Sequence, residues 1–388
     1  LKAGAAFFLI LAAPASAQPG LLTGYYQNVP LFSGETELFP GGFSDFSRLR
    51  VTSSPSVGSV SFEAAYEQVL TLRENEASGA AFVGAVPAGS EWLALQWTIE
   101  EGEHLLWQHR FDRLNLVWTP APELQIDLGR QAVSWATTLF FTPADPFSPF
   151  DPADPFREFR AGVDAARLRI YPGPLSELDF VVRPTKTEVG EELTALARGL
   201  TTWRNWEISG WAGSLYGDVS GAAAASGSVG SWAVRGEAVV RDTGEQVVLR
   251  ASLGVDRRFT VSSRDLLFVA EYQRDGFGAR DPEDYAALLE SEPFLRGELQ
   301  VLGRDEIALQ SSYQWHPLWS VSGLLLWNLA DGSLLVSPGF AYSAGDETTV
   351  TGGLFLGAGP DELDEGAALP SEYGVVPPTA YLSVSFFF

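Results

Sequence analysis

Period-two alternation runs through the last quarter of the chain, Arg304 to Phe388, and constrains the fold more than any other feature. In the final segment Ala380, Leu382, Val384, Phe386 and Phe388 fall on one face. Tyr381, Ser383, Ser385 and Phe387 fall on the other. One segment earlier, Leu334, Val336, Phe340 and Tyr342 oppose Ser333, Ser337 and Gly339. Successive side chains of a strand point to opposite sides, so such a pattern suits β-strands and cannot sit on one helix face. The segments are about ten residues long and separated by short turns, the length a tilted strand needs to cross a bilayer.

Composition decides what kind of sheet this is. After Ala17 no apolar run approaches the roughly 18 residues of a spanning helix. A chain that crosses hydrocarbon without such helices must close its strands into a barrel, because no water is present to satisfy a free sheet edge. The 39 Gly, 12 Trp and 11 Tyr suit tight turns and aromatic girdles at the two membrane surfaces. The N-terminus points to the same compartment. Lys2 precedes the apolar stretch 3–13, and Ala15, Ser16 and Ala17 form a small-residue cleavage site. Residues 1–17 are therefore expected to be a signal peptide, and 18–388 a single barrel domain in a bacterial outer membrane. The chain has no Cys, which removes disulfides and thiolate chemistry. A net charge of −24 excludes nucleic acid as a partner.

Strands are predicted over 22–30, 43–52, 59–72, 105–118, 123–134, 160–171, 176–183, 193–201 and 206–215. The pattern continues over 219–226, 231–241, 245–256, 265–274, 305–315, 319–328, 333–343, 348–357 and 379–388. The fold class is thus an all-β transmembrane antiparallel barrel of about 18 strands, with 16 as the alternative. Parity favours 18. The first strand is taken to rise from the periplasm. Short links around 53–58, 120–122, 172–174, 203–205 and 316–317 then lie inside. The long links 73–104, 135–159, 275–304 and 358–378 all lie outside, as barrels of this class require.

An arginine on the lipid face near the midplane costs roughly 2–4 kcal/mol, so Arg-bearing faces are assigned to the lumen. This places Arg48 and Arg50 opposite Leu49 and Val51, and Arg167 and Arg169 opposite Leu168 and Ile170. Arg183, Arg235, Glu237 and Arg250 join the pore lining by the same test, with Glu67, Asp179 and Glu271. Between two predicted strands lies a segment unlike the rest, 129–164, in which Asp-Pro-Phe recurs. Each Pro fixes its own φ and pushes its predecessor out of the helical region, which makes a stiff irregular loop. Its many Phe rings are best placed if the loop folds inward and narrows the pore. Asp145, Asp151, Asp154, Arg157 and Arg160 would then meet Arg130, Asp164 and Arg167 on the wall.

Here the chain resembles a known family. Gly129–Gln131, Pro143–Phe150 and Arg160–Arg167 are similar to a recurrent segment of outer-membrane barrels related to the alginate-export porins. The hairpin Ala330–Ser337 is similar to a turn of the same proteins. The resemblance implies a monomeric 18-strand channel with an arginine-rich lumen for an anionic substrate. This chain departs from that picture in its excess of acid, so the barrel and channel are carried over and the polymer is not.

Catalytic and metal sites are not expected. His104, His109 and His316 are the only histidines, and His104 and His109, five apart on or near one strand, point to opposite faces. Asp281, Pro282 and the following acids read as the start of a short surface helix rather than as a calcium loop. No cofactor is expected. The expected function is passive diffusion of small hydrophilic or charged solutes. A dedicated channel for a polyanion or other specific substrate, and a plugged structural or adhesion barrel, are the alternatives. Expected partners are outer-membrane lipid and lipopolysaccharide, and the barrel-assembly machinery through a C-terminal signal at Phe386 and Phe388.

Overall fold

A computed structural model describes residues 22–75, 91–147, 156, 159–362 and 369–388. The expected signal peptide and the site residues Asp151, Asp154 and Arg157 lie outside these. Eighteen antiparallel strands close into a barrel, so the 18-strand reading holds and the 16-strand alternative falls. We number them β1 (Thr23–Ser33), β2 (Gly42–Ser53), β3 (Val60–Arg73), β4 (Leu105–Ala121), β5 (Leu124–Gln131) and β6 (Val163–Gly173). Next come β7 (Ser176–Lys186), β8 (Glu191–Trp203), β9 (Trp206–Leu215), β10 (Asp218–Val229), β11 (Trp232–Asp242) and β12 (Val247–Val261). The last six are β13 (Arg264–Asp275), β14 (Asp305–His316), β15 (Trp319–Asn328), β16 (Leu334–Ser343), β17 (Thr348–Ala358) and β18 (Thr379–Phe387). Two small pairings lie outside this set. Ser56–Val57 folds back on the start of β3, and Gln96–Glu101 forms a hairpin with the first residues of β4.

Each strand pairs with its neighbour in sequence, and β1 pairs with β18 to close the ring. The seam ends in a reciprocal pair of backbone hydrogen bonds, Gly24 N–H to Phe388 O at 2.9 Å and Phe388 N–H to Gly24 O at 3.0 Å. Gly24 is required there, because a Cβ would run into the Arg50 carbonyl and the Phe388 ring. The links separate as parity demands. At one end they are short, the longest being 54–59, and at the other lie 74–104, 132–162, 276–304 and 359–378. Ser262 and Ser263 both take positive φ in a two-residue turn, the conformation whose twist matches the flanking strands.

Side chains sort by face as the alternation predicts. Leu178, Phe180, Val182, Leu249, Leu253, Leu382, Val384 and Phe386 point outward and are exposed, and their strand neighbours Asp179, Val181, Arg183, Arg250, Ser252, Ser383 and Ser385 are buried inside. An apolar belt exposed around a barrel whose interior is charged inverts the arrangement of a water-soluble protein, and hydrocarbon is the solvent that suits it. No helix among the described residues is long and apolar enough to cross a membrane. The short helix expected after Asp281 is present as a 3-10 turn, Pro282–Asp284, running into Tyr285–Leu289. Asp281 has the extended backbone of a cap but makes no side-chain capping bond.

Candidate functional site: the lumen and its inward loop

The loop 132–162 enters the barrel and packs on two opposing walls. On one side Val133, Trp135, Ala144 and Phe147 join Val181 of β7, Leu196 of β8, Trp211 of β9 and Val239 of β11 in a buried cluster. Trp135 meets Phe147 edge to face at 4.8 Å, and Trp211 Nε1 donates to the Ala144 carbonyl at 2.8 Å. On the other side Phe140, Phe141 and Phe156 pack with Val29 of β1, Phe46 of β2, Leu335 of β16 and Phe355 of β17. Among the described residues Phe140, Phe141, Phe147 and Phe156 are buried inside the barrel, where their packing holds the loop across the lumen, and Phe159 stays about half exposed.

Two wall carboxylates complete the attachment by capturing loop backbone. Glu237 of β11 accepts from the N–H groups of Thr137 (2.8 Å), Thr138 (3.2 Å) and Ala144 (2.9 Å). Glu271 of β13 accepts from Leu139 (2.6 Å), Phe140 (2.8 Å) and Phe141 (3.1 Å). An irregular segment inside a barrel has no sheet partner, and these carboxylates supply the acceptors it would otherwise lack.

The loop and wall charges pair differently from the expected pattern. Asp145 bonds to Ser134 and forms an ion pair with Arg160 of its own loop rather than meeting Arg130 or Arg167. Arg130 is held by Asp164 at 2.9 Å, and the two are register partners on β5 and β6. It also reaches Glu91 at 2.7 Å and is 0 % exposed. Arg167 grips Asp179 on β7 at 2.6 Å, Trp135 Nε1 donates to the same carboxylate at 2.9 Å, and Arg169 meets Asp127 at 3.0 Å. Arg183 donates to the Phe147 carbonyl at 2.9 Å, Arg250 pairs with Asp275 at 2.8 Å, and Arg235 with Asp256. Strand neighbours are brought within reach by the sheet itself, whereas a loop must fold first to offer its charges, so wall partners win.

A third group lies on β2, β3 and β4. Arg48 meets Glu67 at 3.1 Å, Arg50 meets Asp112 at 2.6 Å, Arg110 donates to Glu67 at 2.6 Å and Arg113 pairs with Asp112 at 2.7 Å. The sequence reading missed Asp112, Arg110 and Arg113. Arg110 and Arg113 are three apart and would face opposite ways on a regular strand. A β-bulge between the pairings of Ala65 and Tyr66 inserts one residue into β4 and turns both inward. The loop's return leg rests on this group through backbone atoms: Arg48 donates to the Phe156 carbonyl at 2.8 Å, Arg113 to that of Arg160 at 2.7 Å, and the Gly162 N–H to Asp112 at 3.1 Å.

The other long loops close over this assembly. Glu298 lies between Arg241 (2.6 Å) and Arg296, and Arg250 donates to its carbonyl at 2.9 Å. Gln300 accepts from the Thr142 N–H at 2.6 Å and donates to the Phe140 carbonyl at 2.8 Å. Glu372 accepts from the N–H groups of Leu302 (2.8 Å) and Gly303 (3.0 Å), joining loop 359–378 to loop 276–304. Burial pushes the carboxyls of Asp145, Glu298 and Glu372 above their ordinary range, against the opposing pull of arginines or donors around each.

The sign of that shift sets a pH dependence. A carboxyl that holds its proton more tightly when packed than when free favours packing below the ordinary carboxylate pKa, and that contribution is lost as pH rises through the raised value. Amide-exchange protection of residues 298–303 and 371–376, corrected for intrinsic rates, is therefore expected to fall as pH rises above about 4.5, the ordinary glutamate value. Protection that is flat or increases with pH would contradict this linkage.

An 18-strand antiparallel barrel with short turns at one end, long loops at the other and one loop folded into its lumen is the architecture of the outer-membrane porins. Comparison with solved structures agrees. The chain is similar to OccAB1 of Acinetobacter baumannii at 8% identity, with 97% of this chain and 99% of that chain covered and a TM-score of 0.58. It is similar to a BenF-like porin of Pseudomonas fluorescens Pf-5 at 9% identity, covering 95% and 98%, with a TM-score of 0.55. It is also similar to Pseudomonas aeruginosa OpdK, solved with vanillate, at 10% identity, covering 95% and 98%, with a TM-score of 0.53. At these identities the likeness shows the fold. No protein-family model matches the chain, and no curated protein sequence is similar to it.

Proposed function

We propose that this protein is an outer-membrane channel through which small hydrophilic or charged solutes diffuse passively. The observation that carries the reading is loop 132–162, held across the lumen by Glu237 and Glu271 and wedged by aromatic rings on both walls. Such a loop sets the size limit of a pore, and the charges around it set the electrostatic barrier. The long-loop end faces outward and the short turns face the periplasm in this reading. Phe386 and Phe388, exposed on the outer face of the closing strand, are available to the barrel-assembly machinery before the seam shuts.

A narrower reading is a channel for a specific small anion. Arg48, Arg110 and Arg160 each keep part of the side chain exposed, and a structurally similar barrel was solved with the aromatic carboxylate vanillate. The similar solved structures named above are not alginate-export porins, so the resemblance to that family adds nothing to the choice of substrate. Against a polyanion stands the pairing of Arg48, Arg50, Arg113, Arg130, Arg167, Arg169, Arg235 and Arg250 with carboxylates, which compensates most of the arginine charge described on the wall. Single-channel recording of the refolded chain, with reversal potentials in a salt gradient, tests both readings. Open ohmic steps are expected, with a modest anion preference if the exposed arginines govern entry. A folded barrel that carries no current would overturn the channel and leave a plugged structural element.

A further inference from the structure

Outside the pore, at the long-loop end, three arginines converge where the chain's charge balance would not require them. Along β13 the side chains of Glu271, Gln273 and Asp275 are buried in the lumen, so Tyr272 and Arg274 between them point outward. Arg274 is paired with Asp305 at 2.9 Å, and the Tyr272 hydroxyl donates to the same carboxylate at 2.5 Å. Arg280 and Arg304 stand beside this pair, and neither has a carboxylate partner among the described residues. Arg304 Nε is buried without a hydrogen-bond partner among them. Burial first, and then the positive charges of Arg274 and Arg280, push the Arg304 guanidinium below its ordinary pKa. The side chains of Tyr272, Arg274, Arg280, Arg304 and Asp305 border an open cleft of about 630 Å³, which Leu329 and Ala330 also line. Of the residues lining the cleft only Asp305 is a carboxylate, against three guanidinium groups, in a chain whose net charge is −24.

We propose that this cleft binds the phosphate of an anionic glycolipid headgroup of the lipid A class from the outer leaflet. The proposal rests on the outer-membrane reading, which places this end at the external surface. Guanidinium groups bind phosphate oxygens with paired, charge-assisted hydrogen bonds, and Arg280 and Arg304 have donors unspent. Below the cleft, outward-facing Trp327 is exposed, and with the exposed Leu329 at the cleft's own edge it offers an apolar surface on which acyl chains can lie. A soluble phosphate would use the arginines alone. A lipid uses both surfaces, and the arginines lie on the lipid side of the barrel wall.

The test is retention of bisphosphorylated lipid A by the full refolded chain in detergent, read by native mass spectrometry. Arg280→Ala with Arg304→Ala is expected to lower retention about tenfold or more, the scale of losing two charge-assisted contacts. Dephosphorylated lipid A should bind the unaltered protein as weakly as intact lipid A binds the double variant. Equal retention by the two proteins would overturn the site, and so would equal retention of dephosphorylated lipid A. Competition by millimolar inorganic phosphate that is as effective as lipid A would reassign it to a soluble anion. Heat-modifiable gel migration checks that the variant barrel is folded. Conductance of the same samples is read in parallel, so failure of the channel reading shows as missing current and failure of this proposal as unchanged lipid retention.

Discussion

Removing Phe141–Phe156 is expected to raise single-channel conductance about threefold or more, because an 18-strand barrel without a filler has a wide wet lumen. The deleted stretch carries Phe141, Phe147 and Phe156, three of the rings that wedge the loop between the walls. A finer version leaves the chain length unchanged. Glu237→Ala with Glu271→Ala strips the acceptors from six loop N–H groups, those of Thr137, Thr138, Leu139, Phe140, Phe141 and Ala144. Each N–H left buried and unpaired costs about 1–3 kcal/mol, and the loop escapes that cost by leaving the wall. The double variant should therefore show larger, flickering currents. A deletion variant that folds and conducts like the intact protein would show that the loop is not what limits the pore.

The second large effect falls on stability. Arg130→Ala is expected to cost about 3–5 kcal/mol, the range for breaking a buried ion pair from one side. Arg130 is the hub of its region. It binds Glu91 at 2.7 Å, Asp164 at 2.9 Å, and the carbonyls of Leu93 and Phe111 at 2.7 and 3.2 Å. Its removal leaves the buried Asp164 carboxylate with the Leu93 N–H, at 2.8 Å, in place of a countercharge. Urea unfolding in detergent micelles measures the loss. Replacing both partners, Arg130→Met with Asp164→Leu, should recover much of it, since no charge is then stranded. A loss below about 1 kcal/mol for Arg130→Ala would place the pair with exposed ion pairs and remove its structural role.

How much of this was legible beforehand depended on whether the information was local. Strand positions were, because period two survives in each segment wherever hydrocarbon lies on one side and water or charge on the other. Even 191–203, a weakly patterned stretch, forms β8. The cost of exposing arginine to lipid assigns Arg48, Arg50, Arg167, Arg183, Arg235 and Arg250 to the lumen, and each of them has a carboxylate or carbonyl partner on a nearby strand or on the inward loop. Arg110, Arg113 and Asp112 were not recoverable in this way. The bulge that turns them inward leaves no mark in the alternation except its failure.

The partners of the loop were hidden for a different reason. Its Asp, Pro and Phe residues announce an irregular inward segment, but the groups that hold it, Glu237 and Glu271, lie about a hundred or more residues away in sequence. They also bind its backbone, which carries no residue identity to read. By itself the sequence determined the barrel, its strand number, the direction of its long loops and the sign of its two faces, since these follow from local periodicity and the cost of unmatched solvation. Only the tertiary structure decided which charges pair, where the loop lies and which arginines remain unspent outside the wall. Closing the sheet brings distant strands and loops within hydrogen-bond reach, and no local pattern records those distances.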